Sequence, residues 1–246
     1  MIRLSEIKTD APKKLKKDDI KKEVKKLAKR IGELQHIMYA QKKFSVLVVL
    51  QGMDGSGKDG VVKNVFGDCN PSGIDTFAFK KPNEEEFAHD FLWRCHKIAP
   101  RKGNLMVFVR SHYEDILIQR VHKWIDEDRV VKRMKAINAF ETLLQDDNDT
   151  TVLKFYLHIS QERQLEKLQE RIDIPEKQWK HNEADWEERK LWPQYMECYE
   201  YAINEAVVPW HIVPADQRWY RNYMVAKAVV EAMEKLPLVL PTLAAK

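Results

Sequence analysis

Short apolar runs alternate with longer amphipathic stretches along this chain. Ser45-Val46-Leu47-Val48-Val49-Leu50 is apolar and β-branched, the composition of a strand buried on both faces. Ile74 to Phe79, Leu105 to Val109, Thr151 to Leu157 and Trp210 to Val213 have the same character, and the first of these is entered through the turn Asn70-Pro71-Ser72-Gly73. Ile20, Val24, Leu27, Ile31, Leu34 and Met38 step by three and four. They predict a helix capped by Asp18 or Asp19 and running to about Gln41, with one narrow stripe to dock on the core or zip against a second subunit. Further helices are predicted from Gly60 to Phe66, after the cap Asn83, from Tyr113 to Trp124, from Val130 to Leu144, after the cap Ser160, to Ala206, and from Arg218 to Glu234. Ile172-Asp173-Ile174-Pro175 interrupts the Ser160 helix, and a charged, Trp-rich segment follows to about Arg189. Strands alternating with helices imply an α/β chain with a mainly parallel, five-stranded sheet in a three-layer α/β/α arrangement. Residues 1–17 read as a loose basic arm.

Composition narrows the class. The chain has 246 residues, 44% hydrophobic and 33% charged, enough apolar material for a core under a charged surface. No apolar run is long enough to span a membrane, and the N-terminus lacks the apolar core of a secretion signal. Cys69, Cys95 and Cys198 show no paired spacing, so free thiols in a reducing cytoplasm are expected. Net charge is +4, but Lys13 to Arg30 holds ten Lys/Arg against three acids. Such a run is a solvated helix face or a polyanion-attracting one.

The chemistry centres on the stretch after the first strand, Gly52-Met53-Asp54-Gly55-Ser56-Gly57-Lys58-Asp59-Gly60. Strand, G-x-x-x-x-G-K, helix is the context of a phosphate-binding loop, in which backbone N–H groups and a helix N-terminus cradle anions and the lysine adds a point charge. Asp59 stands where a metal-binding Ser or Thr is usual, and Asp54 sits inside the loop. Carboxylates beside phosphates repel them unless a cation intervenes, so the loop implies metal-dependent phosphoryl chemistry. In a parallel sheet ligands bind beyond the carboxyl ends of the strands. Those ends carry Lys80 and Lys81, then Arg110-Ser111-His112-Tyr113-Glu114-Asp115, then His158 and Ser160, then Asp216, Arg218 and Arg221. Lys80 and Lys81 equally fit a solvated loop, His112 and His158 hydrogen-bonded core histidines, and Glu114 and Asp115 first-turn acids. Arg163, Lys167, Arg171, Lys177, Lys180 and Arg189 surround Pro175, a pattern suited to a mobile basic lid or to a charged surface hairpin. These residues fit an ATP-dependent kinase of a nucleotide or small metabolite. They also fit a nucleotide- or nucleic-acid-binding regulator, against which stand the missing N-K-x-D motif and the missing apolar strand ending in Asp-Glu.

Taken together, Leu50 to Asp54 with Gly57 to Gly60, Phe79-Lys80-Lys81-Pro82 with Glu84 to Glu86, His89 to Arg94, Arg110 to Asp115, Pro175 to Lys180 and Pro214 to Asp216 with Trp219 to Asn222 resemble the polyphosphate kinase 2 family over about residues 10–238. The resemblance implies a thymidylate-kinase-like P-loop kinase fold, with an N-terminal arm and helix at 1–41, a kinase domain at 42–240 and a helical lid at about 160–190. It implies reversible phosphoryl transfer between inorganic polyphosphate and an adenine or guanine nucleotide, with Mg²⁺ or Mn²⁺, in a cytoplasmic homo-oligomer (dimer or tetramer) that binds neither membrane nor nucleic acid. By position, Asp54, Lys58, Arg110 and Arg171 would be catalytic. Gly55, Ser56, Gly57, Asp59 and Gly60 would cradle phosphate, and Lys80, Lys81, Arg94 and Lys180 would meet the phosphate chain. Asp54, Asp59 and Glu114 would be the metal candidates. Many members carry Asp or Asn where this chain has Val109, which cannot ligate a metal.

Overall fold

The computed structural model describes residues 1–243. In chain order the elements are α1 (Lys17–Gln41), β1 (Ser45–Gln51), α2 (Lys58–Val65), β2 (Ile74–Ala78), α3 (Glu84–Ala88), α4 (Trp93–Lys97), β3 (Leu105–Val109), α5 (Ile118–Val121), α6 (Glu127–Asn148) and β4 (Thr150–His158). They continue with α7 (Gln161–Asp173), α8 (Ala184–Lys190), α9 (Trp192–Asn204), β5 (Trp210–Pro214) and α10 (Arg218–Met233). The strands lie in the order β2-β3-β1-β4-β5, and each neighbouring pair is parallel. All seven residues of β1 are buried. Val46, Val48 and Leu50 enter one apolar cluster, and Leu47 and Val49 enter the other. A strand with apolar side chains on both faces belongs in the middle of a sheet covered twice. Chain connections leave β1 and β3 for opposite edges, so the loop after β1 opens at the centre of the carboxyl edge.

The stripe on α1 docks on the core. Ile31, Leu34 and Met38 join Val61 and Val65 of α2 and Val225, Val229 and Met233 of α10 in one cluster. The helix starts two or three residues earlier than expected, at Lys17, with no side-chain cap, and Asp18 and Asp19 occupy its first turn, where the helix dipole favours them.

The loose basic arm expected at residues 1–17 is corrected by tertiary bonding. Leu4 is 1% exposed and belongs to the core. The Thr9 hydroxyl donates to Asp216 Oδ2 at 2.7 Å, the Asp216 amide donates to Thr9 O, and the Ala11 amide donates to Gln217 Oε1. His158 Nε2 lies 3.1 Å from Leu4 O, a rim histidine tied to this strap. A second correction concerns the predicted helix from Tyr113 to Trp124. It breaks into a 3-10 turn (His112–Asp115) and the four-residue α5, because Tyr113 is fully buried and Asp115 is held from outside its own turn by Arg94. Helix α6 is correspondingly longer than expected, capped by Asp126, whose Oδ1 accepts from the Arg129 amide.

Candidate active site

The loop after β1 turns on glycines in the left-handed region, Gly55 (φ 84°) and Gly57 (φ 89°). Helix α2 begins immediately, and its first internal bond runs from the Val61 amide to Gly57 O. The amides of Lys58, Asp59 and Gly60 therefore have no acceptor within the helix and supply an anion cradle. Lys58 is buried, and its Nζ folds back to donate to Gly52 O (2.6 Å) and Met53 O (3.3 Å). Burial pushes the ammonium pKa down, with Asp54 pulling against it. The buried Ser56 hydroxyl has no protein partner, and Ser56 O accepts from Arg221 Nη1 at 2.9 Å. That guanidinium also explains two glycines. A Cβ on Gly57 would lie 2.0 Å from Arg221 Nη1, and one on Gly60 2.9 Å from Nη2.

Asp54 Oδ1 accepts from Arg110 Nη2 at 2.7 Å. Burial disfavours the carboxylate, but Lys58, Arg110 and Arg171 outweigh it and hold its pKa below the usual value. Arg110 sits at φ 61°, a conformation a non-glycine residue adopts only at a cost. Two bonds hold it there: its amide continues the ladder to Leu50 O at 2.9 Å, and its guanidinium is fixed by Asp54. Beneath it lies a buried polar network. Ser111 Oγ accepts from Gln51 Nε2 and from the Tyr113 amide. Lys154 Nζ donates to Tyr113 Oη and Glu141 Oε2, both at 2.6 Å, and His112 Nε2 lies 3.2 Å from Glu141 Oε1. Lys154, Glu141 and His112 are each 0% exposed, so His112 is a core histidine that anchors the loop bearing Arg110.

The lid folds over this floor. Gln164 Nε2 donates to Asp54 O, and Lys180 Nζ meets Asp59 Oδ2 at 2.6 Å. The Lys180 bond holds the Asp59 pKa below its usual value. Arg171 is hydrogen-bonded to Asp185 and to Lys180 O. Glu170 takes Lys167 and Lys177, which together overcome burial and hold its pKa down to about 2.

A cavity of about 930 Å³ joins these groups. Asp54, Gly55, Gly57, Lys58, Asp59, Gly60, Lys80, Arg110, Arg171 and Lys180 all line it. Four expected site residues lie off the wall, the first being Ser56, which is 1% exposed and whose amide donates to Met53 O within the loop. Lys81 is exposed and off the cavity wall. Arg94, expected on the phosphate chain, is 6% exposed and bonded to Asp115 Oδ2 and Lys80 O, so it braces the loop that carries Lys80. Glu114 is also off the wall. Its burial raises its pKa against the pull of Arg110 and Lys58. Asp54, Asp59 and Glu114 do not close into one carboxylate cluster; among the described residues no group of three or more His, Cys, Asp or Glu is poised around a metal position. Val109 forms an apolar patch of the wall.

Lys21 and Lys25 of α1, Lys63 of α2, and Trp219 and Asn222 of α10 also line the cavity; sequence reasoning gave none of them a site role, though it placed Lys21 and Lys25 in a basic run and Trp219 and Asn222 in a family-like block. The i, i+4 spacing of Lys21 and Lys25 flanking the buried stripe was the available signal for the first pair. The packing of α10 against α2 brings the last two to the wall.

Known proteins are similar in sequence and in shape. An AMP/ADP-polyphosphate phosphotransferase of Meiothermus ruber is 47% identical over 218 residues, 87% of this chain and 81% of that protein. An ADP-polyphosphate phosphotransferase of Rhodopseudomonas palustris is 39% identical over 227 residues, covering 86% of this chain and 78% of that protein. The crystal structure of polyphosphate kinase 2 from Arthrobacter aurescens TC1 is 37% identical and superposes with a TM-score of 0.96 over 100% of this chain and 89% of that one. The sequence model of polyphosphate kinase 2 matches residues 14–237, which takes in the phosphate loop, Arg110, the lid and all of α10. With loop, lid and sheet order all inside that match, the chain belongs to the polyphosphate kinase 2 family.

Proposed function

We propose that the protein moves a phosphoryl group reversibly between inorganic polyphosphate and a nucleoside mono- or diphosphate, with adenine nucleotides as the first substrates to test. The observation that carries this reading is the charge pattern of this cavity. Phosphate-loop amides, Lys58, Arg110 and Arg171 converge on Asp54, and basic walls extend to both sides. Two polyanions meeting end to end need such a surface, because phosphoryl transfer depends on positioning and charge stabilisation more than on covalent help.

The two walls differ. On the lid side Glu170 already neutralises Lys167 and Lys177 and lies 3.8 Å from Arg218. On the opposite wall Lys25, Lys63 and Lys80 have no ion-pair partner among the described residues, and Lys21 has only the exposed Asp18 at 3.5 Å. Unneutralised lysines favour a long anion, so we place the polyphosphate chain along the wall made by α1, α2 and the loop after β2.

The donor set fits a hard divalent cation. Asp54 is ionised, faces the cavity and has one oxygen committed to Arg110. Mg²⁺ is characteristically held by one or two carboxylates together with substrate phosphates and water. Asp54 would hold Mg²⁺ or Mn²⁺, with Asp59 as the second carboxylate once Lys180 releases it. When bound, the ion offsets charge between the two phosphate chains. Lys58 then orients the transferring phosphate, and Arg110 meets the charge that builds on it.

The test is to incubate the protein with polyphosphate, Mg²⁺ and each of AMP, ADP, GMP and GDP and to separate the nucleotides. Parallel mixtures carry ATP in place of polyphosphate. Phosphorylated product from polyphosphate is the expected result. Product only from ATP would replace this reading with that of an ATP-dependent kinase, and no product in any mixture would overturn it.

A further inference from the structure

Four cations are buried among the described residues: Lys58, Arg94, Lys154 and Arg221. Asp54 offsets Lys58, Asp115 pairs with Arg94, and Glu141 pairs with Lys154. Arg221 is 4% exposed and has no carboxylate partner. Its Nε and Nη2 share Asn222 Oδ1 at 3.2 and 3.0 Å, and its Nη1 donates to Ser56 O at 2.9 Å. A guanidinium has five N–H donors, so two are left without a protein acceptor, and the acceptors it does have are neutral. The neighbouring charge that acts on it is another cation, Arg218. Removing a guanidinium from water without an anion is strongly unfavourable. Nothing in the fold offsets that here, while Gly57 and Gly60 clear the space that Arg221 occupies beneath the phosphate loop. Arg221 also lines the cavity.

We propose that Arg221 is an anion-binding residue of the phosphate loop, a buried cation whose missing counter-ion is a phosphate group seated at the N-terminus of α2. The proposal rests on reading the cavity as a phosphate site, and it adds a ligand from the opposite end of the chain. Arg221 does two things at once. Through Ser56 O it holds the loop open around Gly57, and through its free N–H groups it completes the charge of the cradle. The ligand-free protein carries an unfavourable buried charge, and the phosphate relieves it on binding. Phosphate affinity and ligand-free stability are therefore set against each other at this one side chain.

The experiment uses the full chain and inorganic tripolyphosphate as the probe, with affinity by calorimetry and ligand-free melting by fluorescence. R221Q can keep the bond to Ser56 O but removes the charge; R221K keeps the charge but loses the planar fork. The expected result is at least tenfold weaker tripolyphosphate binding in R221Q, with ligand-free melting unchanged or raised, and a loss in R221K no greater than threefold. R221Q binding within twofold of the wild type, or a melting point lowered by several degrees with affinity kept, would make Arg221 a structural prop and overturn the proposal. Should R221Q fail to fold, R221K carries the test, since a tenfold loss with the charge retained also overturns it. A wild-type protein that binds no tripolyphosphate overturns it as well. A wild-type protein that binds tripolyphosphate but phosphorylates no nucleotide sinks the functional reading and leaves Arg221 as a phosphate ligand.

Discussion

Replacing Glu141 with Gln tests whether the buried network under Arg110 holds the fold as described. The carboxylate is 0% exposed and meets Lys154 Nζ at 2.6 Å and His112 Nε2 at 3.2 Å. Burial works against its charge, yet His112 and Lys154 keep its pKa below the usual value. Glu141→Gln leaves Lys154 buried beside a neutral amide. Breaking a buried pair by removing one partner costs about 3–5 kcal/mol. Lys154 can limit the loss by giving up its proton, and discharging a lysine of ordinary pKa at pH 7 costs about 4.6 kcal/mol. The two routes agree, so the expected loss is about 3–5 kcal/mol, roughly 6–20 °C in melting temperature for a chain of this size. The sign with pH is distinctive. Burial already depresses the Lys154 pKa, and losing Glu141 depresses it further. The unfolded chain then binds the extra proton, so the variant gains stability as pH rises from 7 towards the ordinary lysine value, by at most about 1.4 kcal/mol per unit and more steeply than the wild type. Urea unfolding followed by tryptophan fluorescence at pH 7, 8, 9 and 10 reads both quantities. A loss under about 1 kcal/mol, with a pH slope equal to that of the wild type, would refute the account of Lys154 as a charged, carboxylate-dependent group.

Three further outcomes follow from the site and the core. Asp54→Asn should lower polyphosphate-dependent turnover by about 10²–10³, with Arg110 still able to bond the amide oxygen; near-normal steady-state rates would remove Asp54 from the chemistry. Chelation with EDTA should abolish turnover, restorable by Mg²⁺ or Mn²⁺, without lowering the melting temperature, since no described carboxylate cluster depends on an ion for its structure. Leu4→Ala should cost about 2–5 kcal/mol, as for a core leucine, when chemical denaturation is compared with the wild type; a change under about 0.5 kcal/mol would return residues 1–11 to the status of a solvated arm.

Local signals carried the architecture well and the site unevenly. Strand β1 was legible because an unbroken β-branched run has few other uses, and the loop after it because glycine spacing, lysine and following helix are all contiguous. The cap at Asn83 was legible for the same reason, and the structure adds the reciprocal bond from Glu86 that makes it a capping box. Arg94 shows the limit. In sequence it is one more basic residue near Lys80 and Lys81, and only the approach of Asp115, 21 residues away, turns it into a brace. Leu4 and Thr9 lie in a segment whose composition signals solvent, and their partners are about 200 residues distant. Arg221 was legible as one basic residue among several beyond the last strand, within the block Trp219 to Asn222. Its meaning depends on having no carboxylate nearby, which becomes visible only when the surroundings are built.

The left-handed backbone at Arg110 has a consequence for anyone who would engineer this protein. Glycine would take φ 61° without penalty, whereas arginine holds it at a cost on the order of 1–3 kcal/mol. Arg110→Gly would release that backbone cost but would leave the half-buried Asp54 carboxylate without its hydrogen-bonded partner, so the strain is tied to the ion pair of the site. A thermostability campaign on this scaffold does better to relax the exposed left-handed residues Lys42 (φ 54°) and Lys123 (φ 56°), which carry the same backbone cost outside the site it is meant to preserve.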